Sequence, residues 1–488
     1  MGSNKKNNRI STPVYDFVQK YNADSSARFH MPGHKGQGVL GCEGLDITEI
    51  SGADVLSESL GILGESQQNA SMLFRTGATY YSAEGSSLSI KTMLMVARMA
   101  WQEKRSSKEQ KNLLNQSGTE TKRPWILAAR NIHRAMVDAC ALLDLDIEFL
   151  PVEQQNGICS ILVECKAVKK YLEKCQELPI GVYLTSPDYL GVQSDISGIA
   201  QICHEYQLPL LVDNAHGSYL AFLKESQHPI ALGADICCDS AHKTLPVLTG
   251  GAYLHLSKEA AQRYSVYVPK AFSVFASTSP SYLILQSLDL CNSYLSGEYK
   301  EKLEKCIEKI KNIQQKMLKR GIPVMDSEPL KIVLDTGANG YSGYEIAEEM
   351  RRSIWENGQR RIHGMECEYA DNQYLVLMIT PENREEDFLC LEQWIENTIL
   401  KKKKTPLKQV FAFSKEVPER AMTIRQAVFF ASEEIAIDKA CGRILAQETI
   451  SCPPAIPIGI SGEVITKEMI EVFRFYGMEK ISVVACHE

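Results

Sequence analysis

The chain has 488 residues, 44% of them hydrophobic and 23% charged, with a formal net charge of −7. That balance suits a soluble globular protein of two or three domains and offers no basic surface for nucleic acid. The 15 cysteines show no C-x-x-C spacing, no apolar run is long enough to span a bilayer, and Met1 to Pro13 lacks an apolar signal core. A zinc site (indeed any metal centre), a membrane span and an oxidising compartment are therefore not expected. The cysteines read as small buried apolar residues of a reduced, cytoplasmic protein.

Val14, Phe17, Val18 and Tyr21 recur at helical spacing, which predicts a short helix in an N-terminal arm. Arg28 to Gly38 is a loop dense in glycine and basic side chains. Its glycines follow no strand, so a dinucleotide fingerprint is a poor reading; an anion-binding loop and a plain surface loop both stay open. Asp46 to Leu63 reads as an acidic loop, and Ala70 to Phe74 as the end of a helix. Glu84-Gly85-Ser86-Ser87 then leads into a helical pattern from Ile90 to Trp101. Such a start presents free N–H groups, two hydroxyls and the positive end of a helix dipole, as either a phosphate site or an ordinary N-cap.

From there strands and helices alternate. Strands are predicted at Trp125 to Ala128, Ile147 to Val152, Gly181 to Leu184 and Leu208 to Val212, with helices at Ala135 to Leu143, Cys165 to Cys175 and Ile199 to Tyr206. The apolar run Ala231 to Cys238 enters a polar turn holding Ser240, His242 and Lys243, and Ala252 to Leu256 forms a further strand. Polar clusters follow the carboxyl ends of these strands, where open α/β sheets place ligands. A lone lysine is ordinarily a solvated surface cation. Asp213, at the end of another strand 30 residues before Lys243, changes that reading. A pyridoxal phosphate enzyme needs a lysine to form a Schiff base and a carboxylate to keep the pyridine nitrogen protonated.

Pro269 to Pro280 reads as a loop leading into a helix from about Tyr282, and Lys300 to Arg320 as a helix with a solvated charged face. Strands near Ile332 and from Tyr374 to Ile379, with helices near Glu345 and from Glu385 to Leu400, suggest a smaller α+β domain. Lys401 to Lys404 reads as a linker. The predicted division is an N-terminal arm (1–30), a large pyridoxal phosphate-binding domain (31–268), a small α+β domain (269–400) and a C-terminal domain (401–488).

Several stretches together carry a resemblance. They are Phe29-His30-Met31-Pro32-Gly33-His34-Lys35-Gly36, Asp46-Ile47-Thr48-Glu49-Ile50, Ser240-Ala241-His242-Lys243-Thr244, Ser277-Thr278-Ser279-Pro280-Ser281-Tyr282, and Pro453-Pro454-Ala455-Ile456-Pro457 with Gly462-Glu463. In that order they resemble the motifs of the Orn/Lys/Arg decarboxylase family, the bacterial basic amino-acid decarboxylases, in the shorter form without an N-terminal wing domain. The match covers nearly the whole chain. It implies an α/β architecture: an aspartate-aminotransferase-like (fold-type I) large domain with a mainly parallel sheet, a small α+β domain and a C-terminal α+β domain.

The resemblance also implies roles. Lys243 would carry pyridoxal 5′-phosphate, Asp213 would pair with the ring nitrogen, His133 would stack on the ring and Ala215 would pack beneath it. Gly85, Ser86 and Ser87 would hold the phosphate with Ser240 and His242, and Thr278 would reach the phosphate of a neighbouring subunit in a homodimer with shared sites. His216 would face the substrate carboxylate. His133 is open to a second reading as a helix cap, and His216 and His242 as structural hydrogen-bonding histidines. Asp46, Asp54, Glu58, Glu366 and Glu368 are candidates to pair with the distal cation of arginine, lysine or ornithine. The chain departs from the family pattern at Glu84, Asn214, Gly250, Cys452 and Ala455. An aminotransferase or lyase of the same fold is the rival activity, though Arg360 and Arg361 sit in no clear carboxylate motif. An inactive paralogue is disfavoured by the presence of both Lys243 and Asp213.

Overall fold

The computed structural model describes residues 10–112, 123–352, 354–356, 359–362, 364–409, 413, 417–447 and 454–485. Cys452 and Pro453 lie outside the described residues, as do the side chains of Arg360 and Arg361. The chain divides into two units. One comprises Met1–Leu127, Cys175–Leu184 and Ile196–Glu301; the other comprises Ala128–Lys174, Thr185–Asp195 and Lys302–Glu488.

The first unit is built on a mainly parallel sheet. Its strands are β1 (Ala78–Ser82), β2 (Trp125–Ala128), β3 (Val182–Thr185), β4 (Leu210–Asp213), β5 (Ile236–Asp239) and β6 (Ala252–Leu256), in the order β1-β6-β5-β4-β3-β2. β4 and β5 pair in parallel, while β6 runs antiparallel to both β5 and β1. Every residue of β4 and β5 is buried. Strands covered on both faces need continuous apolar runs, and Leu-Leu-Val and Ile-Cys-Cys supply them. Each such buried aliphatic side chain stabilises the fold by about 1.5–3 kcal/mol. Both strands end in an aspartate, so burial fixes where two carboxylates emerge.

Three helices bear on the site: α1 (Pro13–Ala23), α2 (Ile62–Phe74) and α3 (Gly85–Asn112). Proline opens α1, where its missing N–H costs nothing. Val14 and Val18 are its buried face, and the Val14 and Tyr15 N–H groups donate to Asp289 Oδ2 at 3.0 and 2.9 Å. Asp54 accepts from the N–H groups of Gly61, Leu63 and Gly64, capping α2 from outside. One sequence expectation is corrected here. The stretch read as a loop from Pro269 is helical over Val268–Phe275, because Pro269 sits in the first turn rather than breaking it, and Val268, Ala271 and Phe272 are buried at helical spacing.

The second unit contains a four-stranded antiparallel sheet in the order Val324–Met325, Lys331–Asp335, Tyr374–Met378, Tyr369–Ala370. Helices Gly343–Arg351 and Glu385–Asn397 belong to the same region. Nearer the C-terminus, Ser432–Ala436 pairs antiparallel with Lys480–Val484. Ala427, Ala446 and Val484 form a small core there with Met422 and Ile444. Among the described residues no helix is long and apolar enough to cross a membrane, and the cysteines are unbridged and mostly buried.

Candidate active site

Within the first unit the predicted residues converge on the carboxyl ends of β4 and β5. Asp213 is 2% exposed. Its Oδ2 accepts from the Tyr183 hydroxyl at 3.2 Å, and its Oδ1 accepts from the Ala215 N–H at 3.1 Å. Lys243 lies in the short helix Ala241–Thr244 that follows β5, and its Nζ is 3.2 Å from His216 Nε2. The amine and the imidazole are thus within proton-exchange distance. Ser240 Oγ donates to Ser86 Oγ at 2.7 Å, joining the lysine turn to the start of α3.

That helix start is a shaped cup. Gly85 has φ +72° and its N–H donates to the Gly250 carbonyl at 2.7 Å. Gly250 has φ +99°, and a Cβ there would stand 3.0 Å from the Ala83 carbonyl. Glycine at 250 therefore suits both the backbone conformation and the close approach. Glu84 turns away from the cup: its Oε1 accepts from the Ser277 N–H at 2.7 Å. The repulsion that a carboxylate beside a phosphate would create is thereby relieved, and the same bond steadies the exposed loop carrying Thr278. His242 Nδ1 is 3.0 Å from the Gly251 carbonyl. A carbonyl is only an acceptor, so Nδ1 carries a proton, and Nε2 becomes a donor to an anion once the ring is fully protonated.

Beneath the lysine turn lies a buried cluster. Asp239 is fully buried. It is 3.1 Å from His228 Nε2 and 3.4 Å from His255 Nε2, and Asn214 Nδ2 donates to its Oδ1 at 2.7 Å. Burial alone would raise the Asp239 pKa, but the two imidazoles outweigh it and hold the carboxyl well below the usual carboxylate range. The three side chains are close enough to resemble a metal site. However, His228 Nδ1 accepts from the Ile230 N–H at 3.3 Å, which leaves the proton on Nε2, the atom facing Asp239. A hydrogen-bonded anion accounts for this geometry. Asn214, which departs from the family pattern, fits it: its amide ties the turn after Asp213 to the strand that leads to Lys243.

The second unit holds the remaining candidate, His133. It caps helix Arg134–Leu143, its Nδ1 accepting from the Ala135 N–H at 3.1 Å, so the ring proton lies on Nε2. The helix-cap reading thus holds, and it leaves the ring in a single tautomer. Its turn is clamped by Arg130, which makes a bidentate pair with the fully buried Glu463 at 2.7 and 2.5 Å and also donates to the Ile458 carbonyl. The Arg134 N–H donates to the carbonyl of Ala455, a residue at φ +54° where the family's usual glycine would be unstrained. Sequence reading missed the Arg130–Glu463 pair and the Asp239 cluster, although Glu463 sits inside a noted motif.

The candidate substrate carboxylates separate by their present partners. Asp46 faces His34 at 3.2 Å, Glu366 pairs with Arg351 at 3.0 Å, and Glu368 accepts from the Tyr189 hydroxyl at 2.8 Å. Asp54 is committed to capping α2, and Glu58 is exposed.

A lysine and a buried aspartate at the ends of neighbouring parallel strands, beside a glycine-serine helix start, are the arrangement of the fold-type I pyridoxal phosphate class. Comparison with known proteins narrows it. Residues 108–376 match the family profile described as Orn/Lys/Arg decarboxylase, major domain, and residues 407–481 match that of its C-terminal domain. The chain belongs to the Orn/Lys/Arg decarboxylase family, whose members are pyridoxal phosphate-dependent decarboxylases of basic amino acids. An arginine decarboxylase from Bacillus subtilis is 27% identical over 485 residues, covering 94% of this chain and 92% of the relative. An arginine decarboxylase from Bacillus anthracis is 27% identical over 493 residues, covering 96% and 93%. A solved lysine decarboxylase from Francisella novicida shares the fold with a TM-score of 0.70 at 14% identity, covering 98% of this chain and 82% of the other.

The residues fit the cofactor. The 28-residue α3 points its N-terminus, Gly85, Ser86 and Ser87, at a position suited to a phosphate. The buried carboxylate of Asp213 suits a protonated ring nitrogen, and Lys243 supplies the amine.

Proposed function

We propose that the chain decarboxylates arginine to its amine and CO₂, with Lys243 as the cofactor-bearing lysine. The observation that carries this reading is the Lys243–His216 approach of 3.2 Å beside the Ser240–Ser86 bond. It puts an amine, a proton partner and a phosphate cup at one set of strand ends. Arginine is favoured among basic amino acids because the full-length relatives bear that name.

Gly85, Ser86, Ser87, Ser240 and His242 would hold the cofactor phosphate, Ala215 would pack beneath the ring, and His133 would stack on it. When bound, pyridoxal phosphate supplies an electron sink for the pair released from the Cα–carboxylate bond. Asp213, held by Tyr183 and the Ala215 N–H, keeps a negative charge at the foot of the site, a task a neutral amide could not perform. His216 exchanges a proton with Lys243 Nζ, so that the lysine can return a proton to the substrate carbon after CO₂ leaves. Orientation of the scissile bond and exclusion of water are the protein's remaining tasks.

A homodimer with shared sites, Thr278 reaching across, is part of the proposal. Phe29, Val39 and Leu60 are 97%, 99% and 91% exposed, and a second copy would cover such apolar side chains. The cytoplasm is the proposed compartment, and the four-part division at residues 30, 268 and 400 is retained as the proposed domain organisation. The deciding measurement is CO₂ release from arginine, lysine and ornithine, combined with borohydride reduction and peptide mapping. We expect release from arginine and the cofactor fixed on Lys243. Transamination of a keto acid without CO₂ release would overturn the activity, and fixation on another lysine would overturn the site.

A further inference from the structure

We propose that Asn214 is a positioning residue for the lysine site: its amide, bonded to Asp239, sets the approach of His216 to Lys243 and with it the rate at which Lys243 gives up its proton. The inference rests on the roles proposed above for His216 and Lys243. Every residue it uses lies in the first unit. β4 and β5 run side by side with Asp213 opposite Cys238, so the turns leaving their ends are neighbours. The first turn carries His216 and the second carries Lys243.

Asn214 fastens the first turn through backbone and side chain together. Its N–H donates to the Cys238 carbonyl at 2.9 Å, its carbonyl accepts from the Gly217 N–H at 2.8 Å, and its Nδ2 donates to Asp239 Oδ1 at 2.7 Å. A Cβ on Gly217 would stand 2.0 Å from Asn214 Oδ1, so the turn folds tightly over this side chain. Asp239 is 0% exposed and is itself held by His228. The next residue, Ser240, opens the second turn, and its carbonyl accepts from the Lys243 N–H at 3.1 Å. The path from imidazole to amine thus closes on itself: His216, Asn214, Asp239, Ser240, Lys243 and the 3.2 Å contact back to His216. A charge-assisted bond to a buried carboxylate is the strong link in that ring. Cutting it frees His216 to shift while Asp213 keeps its Tyr183 hydroxyl. An ammonium cannot attack a carbonyl. Lys243 must pass a proton to His216 Nε2 before its amine condenses with the cofactor aldehyde, forming a carbon–nitrogen double bond as water leaves.

The test compares Asn214→Ala, His216→Ala and the double variant as full chains. It reads the rate at which the visible band of lysine-bound cofactor grows after mixing with pyridoxal phosphate, the cofactor dissociation constant, and kcat and KM for arginine. Asn214→Ala is expected to slow band growth and lower kcat by about tenfold to a hundredfold, the cost of a misplaced proton partner. KM and the cofactor dissociation constant should stay within about twofold of wild type. Because Asn214 acts through His216, adding Asn214→Ala to His216→Ala should slow band growth no further. Equal slowing in both backgrounds would overturn the inference, since a merely structural role does not depend on His216. So would an unchanged rate in the single variant, or a cofactor affinity that falls as far as the rate. Slowed band growth that vanishes in the His216→Ala background, in a chain that releases no CO₂ from any basic amino acid, would sink the proposed activity and leave the role of Asn214 standing.

Discussion

Asp239 and Asp188 are 0% and 1% exposed, and both follow or end a strand, yet their surroundings push them in opposite directions. Asp239 meets two imidazoles and the Asn214 amide and stays far more acidic than a free carboxyl. Asp188, in the Ser-Pro-Asp turn of the second unit, is pushed up to about 7 by burial, which outweighs its Ser160 and Val192 hydrogen bonds and the Lys331 charge. Two buried asparagines, one in each unit, divide likewise. Asn214 spends its amide on Asp239, whereas the Asn131 amide has no hydrogen-bond partner among the described residues. The turn bearing the lysine is assembled by its own hydrogen bonds. The turn bearing His133 is held by its backbone and by Arg130.

The contrast can be broken from either side. Asp239→Asn should have the largest effect, about 3–5 kcal/mol of lost stability in urea unfolding, because it removes the charged member of a buried network. A loss under about 1 kcal/mol would show that the two histidines do not depend on the anion. Asn214→Ala should cost about 1–2 kcal/mol and lower kcat more than cofactor affinity, since the anion survives and only the tie to the turn after Asp213 is cut. An unchanged kcat would separate that tie from function. Asp188→Asn should show the smallest effect, seen only as pH dependence. A carboxyl with a raised folded pKa binds its proton more tightly in the folded chain. Its stabilising contribution is complete below about 4 and fades as pH climbs through about 7. The variant should flatten the stability profile across that window, and a profile identical to wild type would contradict the raised pKa.

Much of this was legible in the sequence for physical reasons. Trp125–Ala128 and Ala252–Leu256 were read to their ends because continuous apolar runs bounded by polar turns leave little choice. Lys243 and Asp213 were legible because strand-end chemistry recurs in a fixed order. The helix Val268–Phe275 was not, since Pro269 reads as a break unless its place in the first turn is known. The Asp239 cluster was hidden because its partners lie 11 residues before and 16 residues after it. Glu84 departs from the family pattern, and its partner, the Ser277 N–H, lies 193 residues away. No local pattern encodes such pairings.

The Arg130–Glu463 pair spans 333 residues of chain, and so it also sets a schedule. At about 5–20 residues per second a ribosome needs tens of seconds to pass from one partner to the other. Throughout that interval the guanidinium has no carboxylate to receive it, and the turn holding Asn131 and His133 lacks its clamp. A nascent chain that has already made every strand of the first unit's sheet is still unfinished at this turn.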